Sequence, residues 1–390
     1  MSAPLHLSSR EMLDRLIAFD TVSSRSNLEL IAFVEDYLAS HGVSSRRVEN
    51  EDGRKASLFA TLGPADAPGG IVLSGHTDVV PVEGQTWTSD PFVATEKDGK
   101  LYGRGTSDMK SFIAIALAAV PQFLSAKPKL PIHFALSYDE EVGCIGVRPM
   151  IDQVIRTLPK PQVVVVGEPT QMKVVDAHKE IHAFETVVTG LEAHSSAPHL
   201  GVNAVMIAAR VIGELDRLAA EMRQKGDASK RFVPPYTTIN VGTIRGGVQL
   251  NIIPKSCRFE WEFRGLPDQD PDEIPDRLEA FVERDLRPQM KAVHPDADVV
   301  TRRHHHVPGL APADSEGETL IMRLAEQNGL DAASYGTEAG LFQLADIPTV
   351  VCGPGSIEQA HKPDEWIALD QLAACEAFMG RLAAYVGNPA

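Results

Sequence analysis

A chain of 390 residues that is 43% hydrophobic and 23% charged has a globular composition and enough length for two cores. Its 53 acidic against 37 basic side chains leave a formal charge of −16, and no tight basic cluster offsets it, which argues against a nucleic-acid backbone or an anionic membrane surface as partner. No apolar run reaches membrane-spanning length, the opening Met1-Ser2-Ala3-Pro4-Leu5-His6-Leu7 lacks the pattern of a secretory leader, and Cys144, Cys257, Cys352 and Cys375 have no paired spacing, so a reducing cytoplasm is the expected setting.

In chain order, apolar residues recur at helical spacing over 9–19 and 27–40, with Ser9 and Asn27 as starts and Gly42 as a stop. Segments 57–62 and 71–74 read as strands, the second running into His76 and Asp78. After the glycines of Gly103-Arg104-Gly105-Thr106-Ser107-Asp108, the apolar run 109–124 predicts a buried helix. Strand 130–138 ends on Asp139-Glu140-Glu141, and strand 161–166 ends on Gly167-Glu168. Strands alternating with helices and bearing polar residues at their carboxyl ends predict an α/β fold, an open and mostly parallel sheet with its site along that edge. From 178 to 309 the pattern changes to an α+β unit of the split βαβ type, read as strand 181–188, helix 203–220, strands 237–243 and 249–264, helix 272–286 and strand 297–304, inserted between a first part of the main domain, 1–177, and a second, 310–390.

Taken singly, Asp108 is a helix N-cap, the three acids are a solvated turn and His76 is a satisfied histidine; their conjunction carries more. His76, Asp108, Glu141, Glu168 and His361 form a two-histidine, carboxylate-rich set suited to zinc or cobalt rather than magnesium or calcium. Two ions sharing Asp108, one also held by His76 and Glu168 and the other by Glu141 and His361, have three protein ligands each and an open position for water. Asp78, two residues after His76 on an extended segment, is expected to take the second N–H of that ring. Glu140 is then surplus as a ligand and becomes the general base.

The strings Ser74-Gly75-His76-Thr77-Asp78-Val79-Val80-Pro81, Gly103 to Lys110, Asp139-Glu140-Glu141-Val142-Gly143, Gly167-Glu168-Pro169-Thr170 and Gly190-Leu191-Glu192-Ala193-His194-Ser195-Ser196 resemble the dinuclear zinc deacylase and exopeptidase family. That family includes acetylornithine deacetylase, succinyl-diaminopimelate desuccinylase, aminoacylase and carboxypeptidase G, and the resemblance runs nearly end to end. It implies the same ligand roles, two zinc ions per subunit with cobalt able to substitute, and a ferredoxin-like inserted unit that serves as lid and dimerisation domain of a homodimer. It also implies that His194 reaches the partner subunit's site to stabilise an oxyanion, and that Asn251 and Arg264 grip the substrate carboxylate. Ser111 stands where relatives often carry glycine.

The segments from Tyr335 to Phe342 and from Cys352 to Glu365 look most like the acetylornithine deacetylase branch, which implies hydrolysis of N2-acetyl-L-ornithine in arginine biosynthesis. Desuccinylase, aminoacylase and dipeptidase are the alternatives within the family, and a non-catalytic metal-binding relative is the alternative outside it. Glu338 is read as selecting a cationic side chain, with a favourable helix-dipole carboxylate as its bland counterpart. The run His304-His305-His306 alternates faces on a strand and reads as a surface feature, and His178 and His182 read as lacking carboxylate partners.

Overall fold

The computed structural model describes residues 4–389, so the first three residues of the stretch read for a leader lie outside the described residues. The chain begins with α1 (Ser9–Ile17), α2 (Leu28–Ser40), β1 (Ser45–Glu49), β2 (Ala56–Leu62), β3 (Ile71–His76), β4 (Thr95–Lys97) and β5 (Lys100–Tyr102). It continues with α3 (Lys110–Ala118), α4 (Val120–Ser125), β6 (Ile132–Ser137), α5 (Val147–Gln153), β7 (Val163–Pro169) and β8 (Val175–His178). Then follow β9 (Glu180–Thr189), α6 (Ala204–Lys225), β10 (Thr238–Gly246), β11 (Ser256–Gly265), α7 (Glu273–Phe281), α8 (Arg287–Val293) and β12 (Asp298–Val307). The last part holds α9 (Glu316–Leu324), β13 (Asp331–Ala333), α10 (Ala339–Leu344), β14 (Thr349–Gly353), β15 (Trp366–Ala368) and α11 (Leu369–Gly387).

Two compact units result. The first takes the chain up to Ala177 together with Pro312–Asp331 and everything from Thr337 onward. The second takes His178–Ala311 with the short return Ala332–Gly336.

In the first unit the sheet order β1-β2-β6-β3-β7-β14-β8 has a parallel centre, β6-β3-β7-β14, with β1 and β2 antiparallel beside it. Every residue of β3, β6, β7 and β14 is buried, as expected for parallel strands covered on both faces. Helix α1 starts in a Ser8/Glu11 capping box and buries Met12, Leu13, Leu16 and Ile17 against α3. Asn27 caps nothing with its side chain; its amide instead joins the Ala56 backbone and the Thr77 hydroxyl, pinning the start of α2 to the sheet. The apolar run expected as one helix divides at Ala119, because Pro121 cannot donate to the preceding turn. Because the centre is parallel, the carboxyl ends of β3, β6, β7 and β14 share one edge.

The second unit is a four-stranded antiparallel sheet, β10-β11-β9-β12, whose alternating burial on β9 and β11 buries one side-chain face against α6 and α7. Helix α6 is capped by the Asn203 side chain and stops at Gly226, whose φ of 62° suits glycine. Two expectations change here. The strand read from 249 begins only at Ser256, because Pro254 ends a turn over the preceding residues. The helix read over 272–286 continues to Val293 through a π-turn, Val282–Leu286, immediately before Pro288 of α8. Among the described residues, no helix is long and apolar enough to cross a membrane.

Candidate metal centre

The first unit gathers His76, Asp108, Glu141, Glu168 and His361 at the shared carboxyl edge. His76 is the last residue of β3 and Glu168 the penultimate residue of β7. Gly167 lets β7 close on the helix carrying the Asp108 loop: a Cβ there would lie 2.0 Å from Phe112 Cγ. His361 lies beyond β14 at φ 63°, a left-handed conformation that costs a non-glycine residue energy and recurs at functional sites.

Asp108 faces both histidines. Its Oδ1 is 3.0 Å from His76 Nε2, and its Oδ2 is 3.3 Å from His361 Nε2. Glu168 Oε1 stands 3.5 Å from His76 Nε2, and Glu141 Oε2 stands 3.0 Å from His361 Nε2. Two triads, His76-Asp108-Glu168 and Asp108-Glu141-His361, therefore each hold three donor atoms within 4.8 Å of one another and share Asp108. The buried Oε1 of Glu141 has no hydrogen-bond partner, and two imidazoles with three carboxylates suit zinc-class cations, so the residues fit a metal pair.

The electrostatics agree with that fit. Burial, reinforced by Asp108, raises the Glu168 carboxyl well above its ordinary value, and burial likewise raises Glu141. Hydrogen bonds to Asp108 and Glu141 push His361 up to about 10. Burial alone would lower His76, but Asp108, Glu168 and Glu140 raise it well above the usual imidazole range. Burial would raise Asp108, but its two histidines hold it below the usual carboxylate range. Without a cation this cluster must keep protons on acids or imidazoles; a cation takes their place.

Asp78 acts differently from expectation. The Nδ1 of His76 lies 2.9 Å from the backbone carbonyl of Asp78 and 3.6 Å from its carboxylate, so the carbonyl is the closer acceptor. The Asp78 carboxylate accepts instead from Ser23 Oγ at 2.7 Å and from the amides of Glu140 at 3.1 Å and Glu141 at 3.4 Å. It thereby fixes the turn that carries Glu140 and Glu141. Asp139, the third acid, is engaged by Lys55 Nζ at 2.6 Å. Burial pushes the Glu140 carboxyl up to about 8, with His76 opposing and Glu141 adding to the rise.

Glu338 also departs from its sequence reading. It is 1% exposed, and its two oxygens accept from Ser74 Oγ at 2.6 Å and Ser137 Oγ at 2.8 Å. Those hydroxyls occupy the carboxylate, which braces β3 against β6 instead of facing a substrate side chain. His194, Asn251 and Arg264 belong to the second unit. There the exposed His194 turn meets the Asn251 turn, with Ser195 N–H donating to Asn251 O at 3.1 Å, while Arg264 pairs with Glu262 at 3.0 Å.

Sequence reading missed the clamp that holds Asp108. Glu365, buried just before β15, accepts from Arg104 Nη1 at 2.7 Å and from the amides of Gly105 at 3.1 Å, Ser107 at 2.8 Å and Asp108 at 3.0 Å. Arg104 Nη2 donates to Gln85 Oε1 at 2.6 Å, and Gln85 Nε2 donates to the His361 carbonyl at 3.0 Å. One network thus fixes the shared carboxylate and the second histidine. Ser111, in the position where glycine was noted for relatives, donates its hydroxyl to Thr106 O and ties the helix start to the same loop. Only the nearness of Glu365 to His361 in sequence hinted at this role.

Glu365→Gln retains the side-chain volume but strands the buried Arg104 charge, so a loss of about 3–5 kcal/mol in unfolding free energy is expected. Cation uptake should weaken along with it. Denaturant melts and equilibrium dialysis against zinc measure the two effects, and unchanged values for both would remove Glu365 from its positioning role.

Residues 72–385 match the model of peptidase family M20/M25/M40. An acetylornithine deacetylase from Myxococcus xanthus is 36% identical over 389 residues, covering 96% of this chain and 97% of that protein. Among solved structures, an M20 family metallo-carboxypeptidase from Sulfolobus solfataricus superposes with a TM-score of 0.77 at 18% identity, covering 98% of this chain and 99% of its own. A Bacillus subtilis protein described as a dinuclear metal binding peptidase of the M20 family gives a TM-score of 0.66 at 14% identity, covering 98% and 99%. At these identities the structures establish the fold, while the family match and the Myxococcus relative establish the lineage. The chain belongs to peptidase family M20/M25/M40 and is a metal-dependent amidohydrolase.

Proposed function

We propose that this enzyme removes the acetyl group from N2-acetyl-L-ornithine, giving L-ornithine and acetate for arginine biosynthesis in the cytoplasm, with two zinc ions per subunit and cobalt able to replace them. The observation that carries the two-ion reading is the two-sided Asp108 carboxylate, one oxygen facing each histidine at 3.0 and 3.3 Å. The substrate reading is supported by the Myxococcus xanthus relative, which is named for acetylornithine and aligns over nearly its whole length.

His76 and Glu168 would hold one ion, Glu141 and His361 the other, and Asp108 both. When bound, such a pair polarises the amide carbonyl and lowers the pKa of an attacking water. Glu140 takes the proton of that water on its carboxylate and delivers it to the departing ornithine nitrogen. Asp78 keeps the base aimed through the amides of Glu140 and Glu141. His194 donates to the developing oxyanion from the partner protomer, and Asn251 and Arg264 take the substrate carboxylate.

A homodimer through the second unit is supported by its exposed apolar residues. Leu250 is 99% exposed and Val248 82%, near the free edge of β10 and the exposed Met206 of α6. A second copy of the same face would remove this surface from water.

Glu140→Gln should still load metal and bind substrate while losing about a hundredfold or more in kcat. Loss of metal from that variant would make Glu140 a ligand. A panel of N-acetylornithine, N-succinyl-diaminopimelate, N-acetylmethionine and a dipeptide, assayed with zinc and with cobalt, tests the substrate; the highest kcat/KM should fall on acetylornithine, and a preference for acetylmethionine would move the enzyme to aminoacylase activity. Leu250→Asp should sediment as a monomer and lose activity together with the dimer, since His194 then has no partner site. An active monomer would reject the action across subunits.

A further inference from the structure

The second unit contains a histidine-carboxylate cluster that the reaction does not use. Glu180 and His182 are two residues apart on β9 and therefore share a face, which corrects the reading that His182 lacks a carboxylate partner. Glu180 Oε2 lies 2.6 Å from His182 Nε2 and 3.8 Å from His306 Nε2. Each residue offers a donor atom, and the three atoms lie within 4.8 Å of one another.

A bulge in β12 brings in the third member. Phe184 of β9 pairs with Arg303, but after the irregularity between Arg303 and His305 the register places His306, rather than His305, opposite His182. The His182 and His306 rings then stack at 4.2 Å and 15°, with Phe263 on the other face of His182 at 4.1 Å. Thus one histidine of the His304-His305-His306 run joins a built cluster, as strand alternation allows for one face only. Glu180 and His182 are buried, so the carboxylate and the first imidazole meet with little competing water.

We propose that Glu180, His182 and His306 bind one zinc-class divalent cation and that this ion straps the edge strand β12 to β9 across the bulge. Two imidazoles and a carboxylate select zinc, cobalt or nickel over magnesium and calcium, which require more oxygen donors. Metal bonds of about 2.0–2.2 Å in tetrahedral geometry put neighbouring donor atoms roughly 3.3–3.5 Å apart. The Glu180–His182 contact must therefore open, and the Glu180–His306 contact close, each by less than about an ångström, which small side-chain rotations supply. The buried Nδ1 of His182 has no hydrogen-bond partner, so the site lacks the outer support given to most metal-binding imidazoles. Its affinity is accordingly expected to be about 10–100-fold weaker than that of a fully supported site.

The test is cobalt(II) titration of the full-length, metal-stripped protein beside His306→Ala and Glu180→Gln, with bound metal counted after equilibrium dialysis and circular dichroism confirming the fold. Neither substitution touches the ligands of the first unit, so the difference between wild type and variant counts this site alone, whatever the first unit binds or hydrolyses. Each variant should bind one equivalent fewer than wild type and lose the matching part of the cobalt absorption and of the paramagnetically shifted imidazole signals. Equal uptake by wild type and the folded variants would overturn the site and leave Glu180 and His182 as a hydrogen-bonded pair only. Should His306→Ala fail to fold, Glu180→Gln, which keeps the side-chain volume, decides between the same two outcomes.

Discussion

One buried carboxylate with an imidazole on each side governs the first unit. Asp108 faces His76 with one oxygen and His361 with the other, while Glu141 and Glu168 bring further negative charge to the same small volume. Burial and the nearby Asp108 charge raise Glu141 and Glu168, while the carboxylates around His76 and His361 favour the protonated imidazoles. Such a cluster suits a cation by its own donor set and charge.

The surrounding structure is built to keep that carboxylate in place. A parallel sheet delivers His76, Glu168 and the turn after β6 to one edge, and Gly167 permits the close approach of Phe112. With one carboxylate Glu365 accepts from the Gly105, Ser107 and Asp108 amides and from the Arg104 guanidinium, and Gln85 passes the restraint to the His361 backbone. Asp78 and Glu338 are acids with the same supporting logic: each accepts from the groups that fix a neighbour, and neither spends its charge at the site's mouth. The result is two ranks of carboxylates, one available for cations and one that orders the first.

The second unit follows another rule. Its antiparallel sheet buries one side-chain face under helices, while the segment after β10 leaves Val248 and Leu250 exposed and β12 is bulged. Exposed Leu250 and Val248 and the stacked His182 and His306 are therefore separate features of one unit, the first on the segment between β10 and β11 and the second within the sheet.

The sequence alone determined the α/β class, most core strands and helices, and which residues carry donor chemistry, because periodicity and chemistry are local: Val163 to Val166 reads as a strand buried on both faces wherever it lies, and His76 keeps its donor type in any fold. Its helix over 109–124 erred only by the break before Pro121, and its strand from 249 erred by ignoring Pro254. What it lacked were contacts between residues distant in the chain. Glu365 and Arg104 are 261 positions apart, Ser74 and Ser137 lie 264 and 201 positions from Glu338, and no local pattern marks such partners. Likewise, strand alternation predicted that the three consecutive histidines could not converge, but only the register and bulge of β12 decided that His306 would meet His182. Donor chemistry is written residue by residue; which donors share a face, which acids face a cation and which brace another side chain depend on packing, because a buried carboxylate takes its role from the groups that surround it.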